Sequence, residues 1–212
     1  MDNFSYKISK DDDINMAIKG TFQEDKSMKT KETLINSASD LFLKYGVNKV
    51  TIDDICDNCG LTKGSFYHYF PSKNYIVAFS INAGLDKHIE ENYIPNNNLS
   101  TIEQFIDFNL CTFDYFYEIG KELTGLSFAS MIHTYTDVQV EGRTYVDTLT
   151  AIVKKAMEES LIKDMNDKEA YHHCSSIITG VLMEWCIRND KSNDTIDWKK
   201  LIKIKSELCL SI

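Results

Sequence analysis

Proline and glycine are scarce in this chain: there are two prolines and nine glycines among 212 residues. These are the residues that most often interrupt helices, so their scarcity favours long helices with short connections. No segment has the alternation or turn pattern typical of strands and hairpins, and the predicted class is therefore all-α. With 43% hydrophobic and 11% aromatic residues, the composition is that of a globular protein and excludes a disordered chain.

Long apolar runs are also missing. None approaches the roughly 18 residues that a membrane-spanning helix needs, and the N-terminal segment MDNFSYKISKDDD has no apolar signal-peptide core. We therefore expect a cytoplasmic protein that contacts no membrane, and in that reducing compartment its cysteines are expected to be free thiols. The six are Cys56, Cys59, Cys111, Cys174, Cys186 and Cys209.

Signatures of catalysis are absent as well: we find no nucleophile elbow, phosphate loop, dinucleotide fingerprint or two-histidine zinc motif. The Cys56-x-x-Cys59 pair lacks the further ligands of a structural zinc site and falls on an apolar helix face, which favours core packing. His172, His173 and Cys174 are adjacent and cannot share one helix face. The sequence therefore predicts no catalytic residue, no metal and no cofactor.

The formal net charge of -9 argues against a protein that is coated with nucleic acid, but it allows one small basic face. Residues 28–75 hold six lysines and five acidic residues, a net charge of +1, so the acidity lies elsewhere. Residues 1–27 are polar, contain the run Asp11–Asp13 and are predicted to form a solvated arm. That run lacks the glycine and glutamate of a calcium loop, and its charge argues against a DNA-binding role for the arm.

The first predicted helix of the folded part begins at Lys29. Apolar residues at helical spacing form one stripe along it, and Gly46 ends it, as a C-terminal glycine commonly does. Further on, Ser72 caps a longer helix that is predicted from Lys73 to about Tyr93. Two short helices fit between these long ones.

The two short helices have recognisable ends. Thr51, with Asp54 three residues later, starts the first with an approximate capping box, and Gly60 ends it. Thr62 caps the second, which ends before Pro71. Two short helices joined by a tight turn at a glycine form the helix-turn-helix pattern.

In a helix-turn-helix, the second helix enters the major groove and its first residues meet base edges. Here that helix starts with Lys63, Gly64 and Ser65. They supply a cationic donor, room for close backbone approach and a hydroxyl. Thr51 and Thr62 place hydroxyls and free backbone N–H groups at helix starts, where phosphates bind readily.

The segment VTIDDICDNCGLTKGSFYHYFPSK, from Val50 to Lys73, closely resembles the DNA-binding segment of TetR-type (tetracycline-repressor-like) transcriptional regulators. The resemblance covers about residues 29–79 and departs from the usual pattern at Cys56 and Cys59, where small residues such as alanine are common. By this resemblance, the DNA-contacting positions are Thr51, Thr62, Lys63, Gly64, Ser65, Tyr67, His68, Tyr69 and Lys73.

The resemblance implies about nine helices in two domains: a helix-turn-helix DNA-binding domain at residues 28–73, after the arm, and a helical effector-binding and dimerisation domain at residues 74–212. The apolar periodicity beyond the fourth helix predicts five more helices. They are placed at about 100–118, 121–136, 140–161, 167–189 and 194–210.

The first of these C-terminal helices is apolar nearly all round and is therefore expected to be buried. The resemblance implies that it helps to line a cavity for an unidentified small-molecule effector, apolar or aromatic in character. For each candidate, ordinary core packing is the alternative. The candidate lining residues are Phe108, Cys111, Phe116, Met131, His133, Tyr135 and Trp185.

Recognition of two half-sites by this motif requires a twofold pair, so we expect a homodimer on an inverted-repeat operator of double-stranded DNA, acting as a ligand-released repressor. The alternatives are a regulator that responds to thiol oxidation or to a protein partner, and an enzyme. The predicted dimer seam lies on the last two helices, with packing inside one chain as the alternative for its members: Ile177, Ile178, Val181, Trp185, Trp198, Leu201 and Leu208.

Overall fold

The computed structural model describes residues 10–134, 143–188 and 196–210, with side chains in 27–132 and in the last two ranges. In these ranges all regular structure is helical, which confirms the predicted class: eight α-helices and one short 3-10 turn at Val47–Lys49. The helices are α1 Lys10–Tyr45, α2 Ile52–Cys59, α3 Lys63–Tyr69, α4 Lys73–Asn92, α5 Thr101–Thr134, α6 Thr144–Glu158, α7 Asp167–Ile187 and α8 Trp198–Cys209. Across the described ranges, no helix is both long and apolar enough to span a bilayer.

The predicted start of the first helix at Lys29 is wrong, because α1 begins at Lys10. The apolar stripe shows where a helix becomes buried, here from Leu34 onward, and not where its backbone starts. No proline lies between Lys10 and Lys29 to stop the helix. Residues 1–9 and the side chains of Asp11–Asp13 lie outside the described residues, so the function of the arm stays a prediction.

The helix-turn-helix has the predicted boundaries to within a residue. Gly46 and Gly60 have φ values of 82° and 68° and reverse the chain after α1 and α2. Phe66 and Phe70 are fully buried. Together with Phe42 of α1, they belong to a hydrophobic core that continues into the C-terminal helices.

The two helices predicted at 100–118 and 121–136 are one element, α5, with a kink at Gly120. The backbone of Gly120 is not helical there (φ 83°, ψ 166°). The Thr124 hydroxyl lies within hydrogen-bond distance of the carbonyl oxygens of Gly120, at 2.9 Å, and Phe116, at 3.3 Å, and so bridges the kink. The predicted end at residue 136 lies outside the described residues.

Helix α4 connects the two parts of the chain. It packs against α1 on one side and against α5 and α6 on the other, while α5 also contacts α7 and α8. Only Phe70, Pro71 and Ser72 separate α4 from α3.

Candidate nucleic-acid interface and internal cavity

Helix α2 starts with the predicted capping box. The Asp54 N–H donates to the Thr51 hydroxyl at 3.2 Å, and the Thr51 N–H donates to the Asp54 carboxylate at 2.8 Å. The side-chain and backbone hydrogen bonds from Thr51 hold the pKa of Asp54 below its ordinary value. Helix α3 starts in a similar way, because the Ser65 N–H donates to the Thr62 hydroxyl at 3.1 Å. Both threonines are exposed at these helix starts.

The inner side of α2 is attached to α1 by polar contacts as well as by packing. The Ser37 hydroxyl donates to the Ile55 carbonyl at 2.9 Å, and the Asn58 amide donates to the Ser37 hydroxyl at 3.0 Å. Cys56 is buried, and the half-buried Cys59 thiol donates to the same Ile55 carbonyl at 3.2 Å. In the part of the chain that the structure describes, no group of three or more potential metal ligands occurs.

Helix α3 divides into a buried and an exposed side. Phe66 is buried and Ser65 half-buried, and Phe70 closes the buried side just past the helix. The exposed side carries four of the predicted DNA-contacting residues, and Thr62 caps its start. Those four are Lys63, Gly64, Tyr67 and His68.

Lys63 is already paired with an acidic residue of the preceding helix. Its ammonium lies 2.8 Å from the carboxylate of Asp53, and both side chains are more than half exposed. The hydrogen bond and the charge of Asp53 raise the pKa of Lys63, so the lysine is cationic at neutral pH. Asp53 was not among the predicted site residues, because the contact that brings it to Lys63 joins two helices.

Two other predicted DNA contacts also make contacts within the chain. The Lys73 ammonium donates to the carbonyl oxygens of Val47 at 2.9 Å and Val50 at 3.0 Å, which uses two of its three N–H groups. The Tyr69 hydroxyl lies 3.1 Å from the Ser27 hydroxyl of α1. Both residues hold the helix-turn-helix against its neighbours, and their contact with DNA stays a prediction.

A small cavity lies between α4, α5, α6 and α7, with a volume of about 70 Å³. Its apolar walls are Leu85, Phe116, Phe128, Met131, Ile178 and Leu182, and its polar lining includes Asn82, Thr112, Ser127 and Thr179. Of the predicted effector-binding residues, Phe116 and Met131 therefore line it. The His133 side chain and Tyr135 lie outside the described residues.

Three predicted lining residues lie elsewhere. Phe108 is fully buried and packs between aromatic rings of α6 and of the segment after α4. Trp185 packs against Phe113 and Tyr117 of α5, with ring centroids 5.7 Å apart in each pair. Cys111 borders a separate surface depression, and burial raises the pKa of its thiol to about 11. Apolar character alone does not distinguish a cavity wall from a packed core.

Arg143 of the cavity wall belongs to an ion pair that the sequence pattern did not predict. Arg143 lines the cavity and donates to the Asp86 carboxylate from Nε at 2.8 Å and from Nη2 at 3.2 Å. The backbone N–H of Tyr145 donates to the same carboxylate at 3.0 Å. Arg143 is one of only two arginines in the chain. The rarity of arginine could have drawn attention to Arg143, because a guanidinium group is suited to binding a carboxylate.

The last two helices leave an apolar face uncovered. Met183 and Ile187 of α7 and Ile204 and Leu208 of α8 are exposed, Ile187 by 78% and Leu208 by 65%. The dimer seam predicted above is wrong for three of its members, because their side chains are buried inside the chain and cannot meet a partner. Those three are Ile178, Val181 and Trp185.

Comparison with known proteins gives consistent results. Residues 34–78 match the model of bacterial regulatory proteins of the tetR family. The transposon Tn10 TetC protein of Escherichia coli is 28% identical over 145 residues, which cover 66% of this chain and 72% of TetC. The uncharacterized HTH-type transcriptional regulator YuxN of Bacillus subtilis is 41% identical over 61 residues, 28% of this chain but only 21% of YuxN.

The fold also has solved counterparts. A structure from Mesorhizobium loti, described as that of a TetR-family transcriptional regulator, superposes with a TM-score of 0.50 at 13% identity and covers 87% of this chain and 96% of its own. At that identity, the likeness concerns the fold alone. The helix-turn-helix geometry and the match to residues 34–78 together show that this chain carries the DNA-binding domain of the TetR family of transcriptional regulators.

Proposed function

We propose that this chain is a ligand-released repressor that binds an inverted-repeat operator as a homodimer. The exposed side of α3 carries the proposal: Lys63, Gly64, Tyr67 and His68 face solvent, while Phe66 is fixed in the core behind them. A rigid helix that presents a cation, a glycine and two polar aromatic tips is suited to contacts with base edges and phosphates in a major groove.

Phosphate contacts on either side of α3 would orient it in the groove. The exposed caps Thr51 and Thr62 lie at the N-terminal ends of α2 and α3, where backbone N–H groups point outward. Lys73 acts mainly as a positioning residue in this proposal, because two of its donors hold the backbone that leads into α2. Its remaining donor is available for a phosphate.

The apolar face of α7 and α8 supports the homodimer. Met183 and Ile187 continue one stripe of α7, and Ile204 and Leu208 continue one stripe of α8. A second copy related by a twofold axis would bury both stripes against the same surface of its mate. The dimer then presents two copies of α3 to successive major grooves.

The cavity supports regulation by a small molecule. It touches α4 through Asn82 and Leu85, and α4 continues almost directly into α3. We assign residues 28–73 to DNA binding and residues 74–212 to the effector and the dimer, with α4 as the coupling element. A ligand that displaces α4 changes the separation of the two α3 helices, and a coupling of about 1–3 kcal/mol is enough to release the operator.

The proposal is tested with the DNA upstream of the protein's own coding region, by fluorescence anisotropy at two salt concentrations. We expect tight binding that weakens steeply with salt and competes poorly with random DNA. The variant Lys63→Ala/Ser65→Ala should lose most of the preference for that DNA, whereas Lys163→Ala, an exposed lysine outside the interface, should not. If the double variant binds as the parent does, α3 is not the recognition helix.

A response to thiol oxidation is a second candidate, favoured by one contact. The sulfur atoms of Cys174 in α7 and Cys209 at the end of α8 lie 3.9 Å apart. The contact with Cys209 and burial raise the pKa of Cys174, which slows its oxidation. Hydrogen peroxide would convert the two thiols to a disulfide and be reduced to water. DNA affinity that changes with peroxide in the parent but not in Cys209→Ser would favour this candidate over a small-molecule effector.

A further inference from the structure

An internal carboxylate occupies a complete binding site at the start of α6. The Asp86 carboxylate receives two N–H donors from the Arg143 guanidinium and a third from the Tyr145 backbone. The side chains of Arg143 and Asp86 are only 17% and 18% exposed. A guanidinium fork combined with a helix N-terminal N–H is a strong arrangement for binding any carboxylate, whether it belongs to the chain or to a ligand.

The same two donor residues border the cavity. Arg143 and Tyr145 both line it, and Arg143 is the only charged side chain among the described residues that do so. On the other walls, Phe116, Met131 and Leu182 offer an apolar surface. The cavity therefore combines one cationic side chain with apolar walls.

We propose that the cavity binds a small amphipathic carboxylate, whose carboxylate group replaces that of Asp86 at Arg143 while its apolar part lies against Phe116 and Leu182. This inference rests on the proposed function and specifies its effector. Small-molecule sites commonly enclose at least about 300 Å³, so a ligand must push side chains aside to enlarge the present 70 Å³. Met131 and Phe128, both half-buried, are in place to move.

The exchange has a direct consequence for α4. Two carboxylates of α4 hold the start of α6: Asp86 through Arg143 and Tyr145, and Glu90, which accepts a 2.7 Å hydrogen bond from the Thr144 hydroxyl. Once a ligand replaces Asp86, the main polar link between α4 and α6 is lost. Helix α4 keeps the Glu90–Thr144 and Asn82–Arg143 hydrogen bonds but loses its ion pair with α6, which makes a shift easier, and its first residue, Lys73, holds the segment that leads into α2.

The probes are benzoate and benzamide, which have nearly the same shape and differ in charge. Binding to the purified full-length chain is measured by calorimetry without DNA. We expect benzoate to bind better than benzamide, and to bind Asp86→Asn about tenfold more tightly than the parent, because the competing internal carboxylate is gone. The variant Asp107→Asn, which removes an exposed carboxylate of α5, should bind benzoate as the parent does. Arg143→Gln should remove the preference for benzoate.

Equal affinity of benzoate and benzamide, or equal affinity of benzoate for the parent and Asp86→Asn, would overturn the inference and indicate an uncharged effector. If circular dichroism shows that Asp86→Asn does not fold, the parent is titrated with each probe and followed by NMR. We then expect benzoate, and not benzamide, to shift the Arg143 Nε–H and Tyr145 N–H resonances. The benzoate measurement is made without DNA. Failure of the chain to recognise an operator would therefore contradict the proposed function but would not change the measured affinity for benzoate.

Discussion

The ammonium of Lys63, the first residue of α3, lies 2.8 Å from the carboxylate of Asp53 in α2. The pair lies on the surface that we assign to DNA, so a phosphate or a base must compete with Asp53 for the lysine. Because both side chains are more than half exposed, water screens the pair and it is easily opened. Its effect is expected in DNA affinity and not in the stability of the fold.

Replacement of Asp53 by asparagine should therefore strengthen DNA binding. We expect roughly a threefold increase in operator affinity at low salt, which diminishes as salt is raised. The measurement is an anisotropy titration of parent and variant. Asp57→Asn is the matched control, since it removes an exposed carboxylate from the same helix. An equal gain in both variants would show that total charge, and not the release of Lys63, is responsible.

Gly64→Ala should separate DNA binding from stability. A Cβ at Gly64 would meet only the Thr62 hydroxyl, at an ordinary distance of 3.6 Å, and alanine favours helix over glycine by up to about 1 kcal/mol. We expect unchanged or slightly raised stability in urea unfolding, but operator affinity reduced about tenfold, because the methyl group occupies space that the DNA backbone needs. Gly125→Ala in α5, also unobstructed, should leave DNA binding unchanged. Full affinity in Gly64→Ala would mean that α3 does not approach DNA closely at this residue.

Ile187→Asp should prevent dimer formation. The side chain is 78% exposed at the end of α7, and a carboxylate there would be desolvated in a twofold interface. Light scattering should show a monomer for this variant and a dimer for the parent. Ile94→Asp is the control, because Ile94 is 84% exposed and follows α4 in the chain, so it belongs to neither α7 nor α8. A dimeric Ile187→Asp variant would place the interface on another surface.

Gly84 and Tyr115 hold α4 against α5, and their coupling can be measured. The Tyr115 hydroxyl donates a 2.7 Å hydrogen bond to the Ile81 carbonyl, and a Cβ at Gly84 would collide with that hydroxyl. We expect Gly84→Ala to destabilise the chain by about 1–3 kcal/mol through overpacking, and Tyr115→Phe by about 1 kcal/mol.

The double variant Gly84→Ala/Tyr115→Phe distinguishes the steric collision from other causes of destabilisation. With the Tyr115 hydroxyl removed, the nearest atom to the new Cβ is the ring carbon Cζ of residue 115, at 3.2 Å, so most of the collision is relieved and the two losses should not add in urea unfolding. Simple additivity would indicate that the hydroxyl is not the group that excludes a side chain at Gly84.

The amino-acid sequence by itself determined the helix-turn-helix. Its boundaries depend on contacts within three or four residues, such as the Thr51–Asp54 capping box and the left-handed turn at Gly60. Such contacts form wherever the local sequence occurs, so residue types and spacing predict them. The exposed residues of α3 follow from the same local pattern once Phe66 and Phe70 are assigned to the core.

Only the tertiary structure decided which residues line the cavity, which side of α7 and α8 is exposed and which carbonyls Lys73 contacts. Asp86 and Arg143 are 57 residues apart, and Lys73 meets carbonyls 23 and 26 residues before it. Helix α7 has apolar residues on more than one side, so its sequence does not reveal that Trp185 faces the core while Ile187 faces outward. Those outcomes depend on how each helix is rotated against its neighbours, which packing of the whole chain sets and no local pattern encodes.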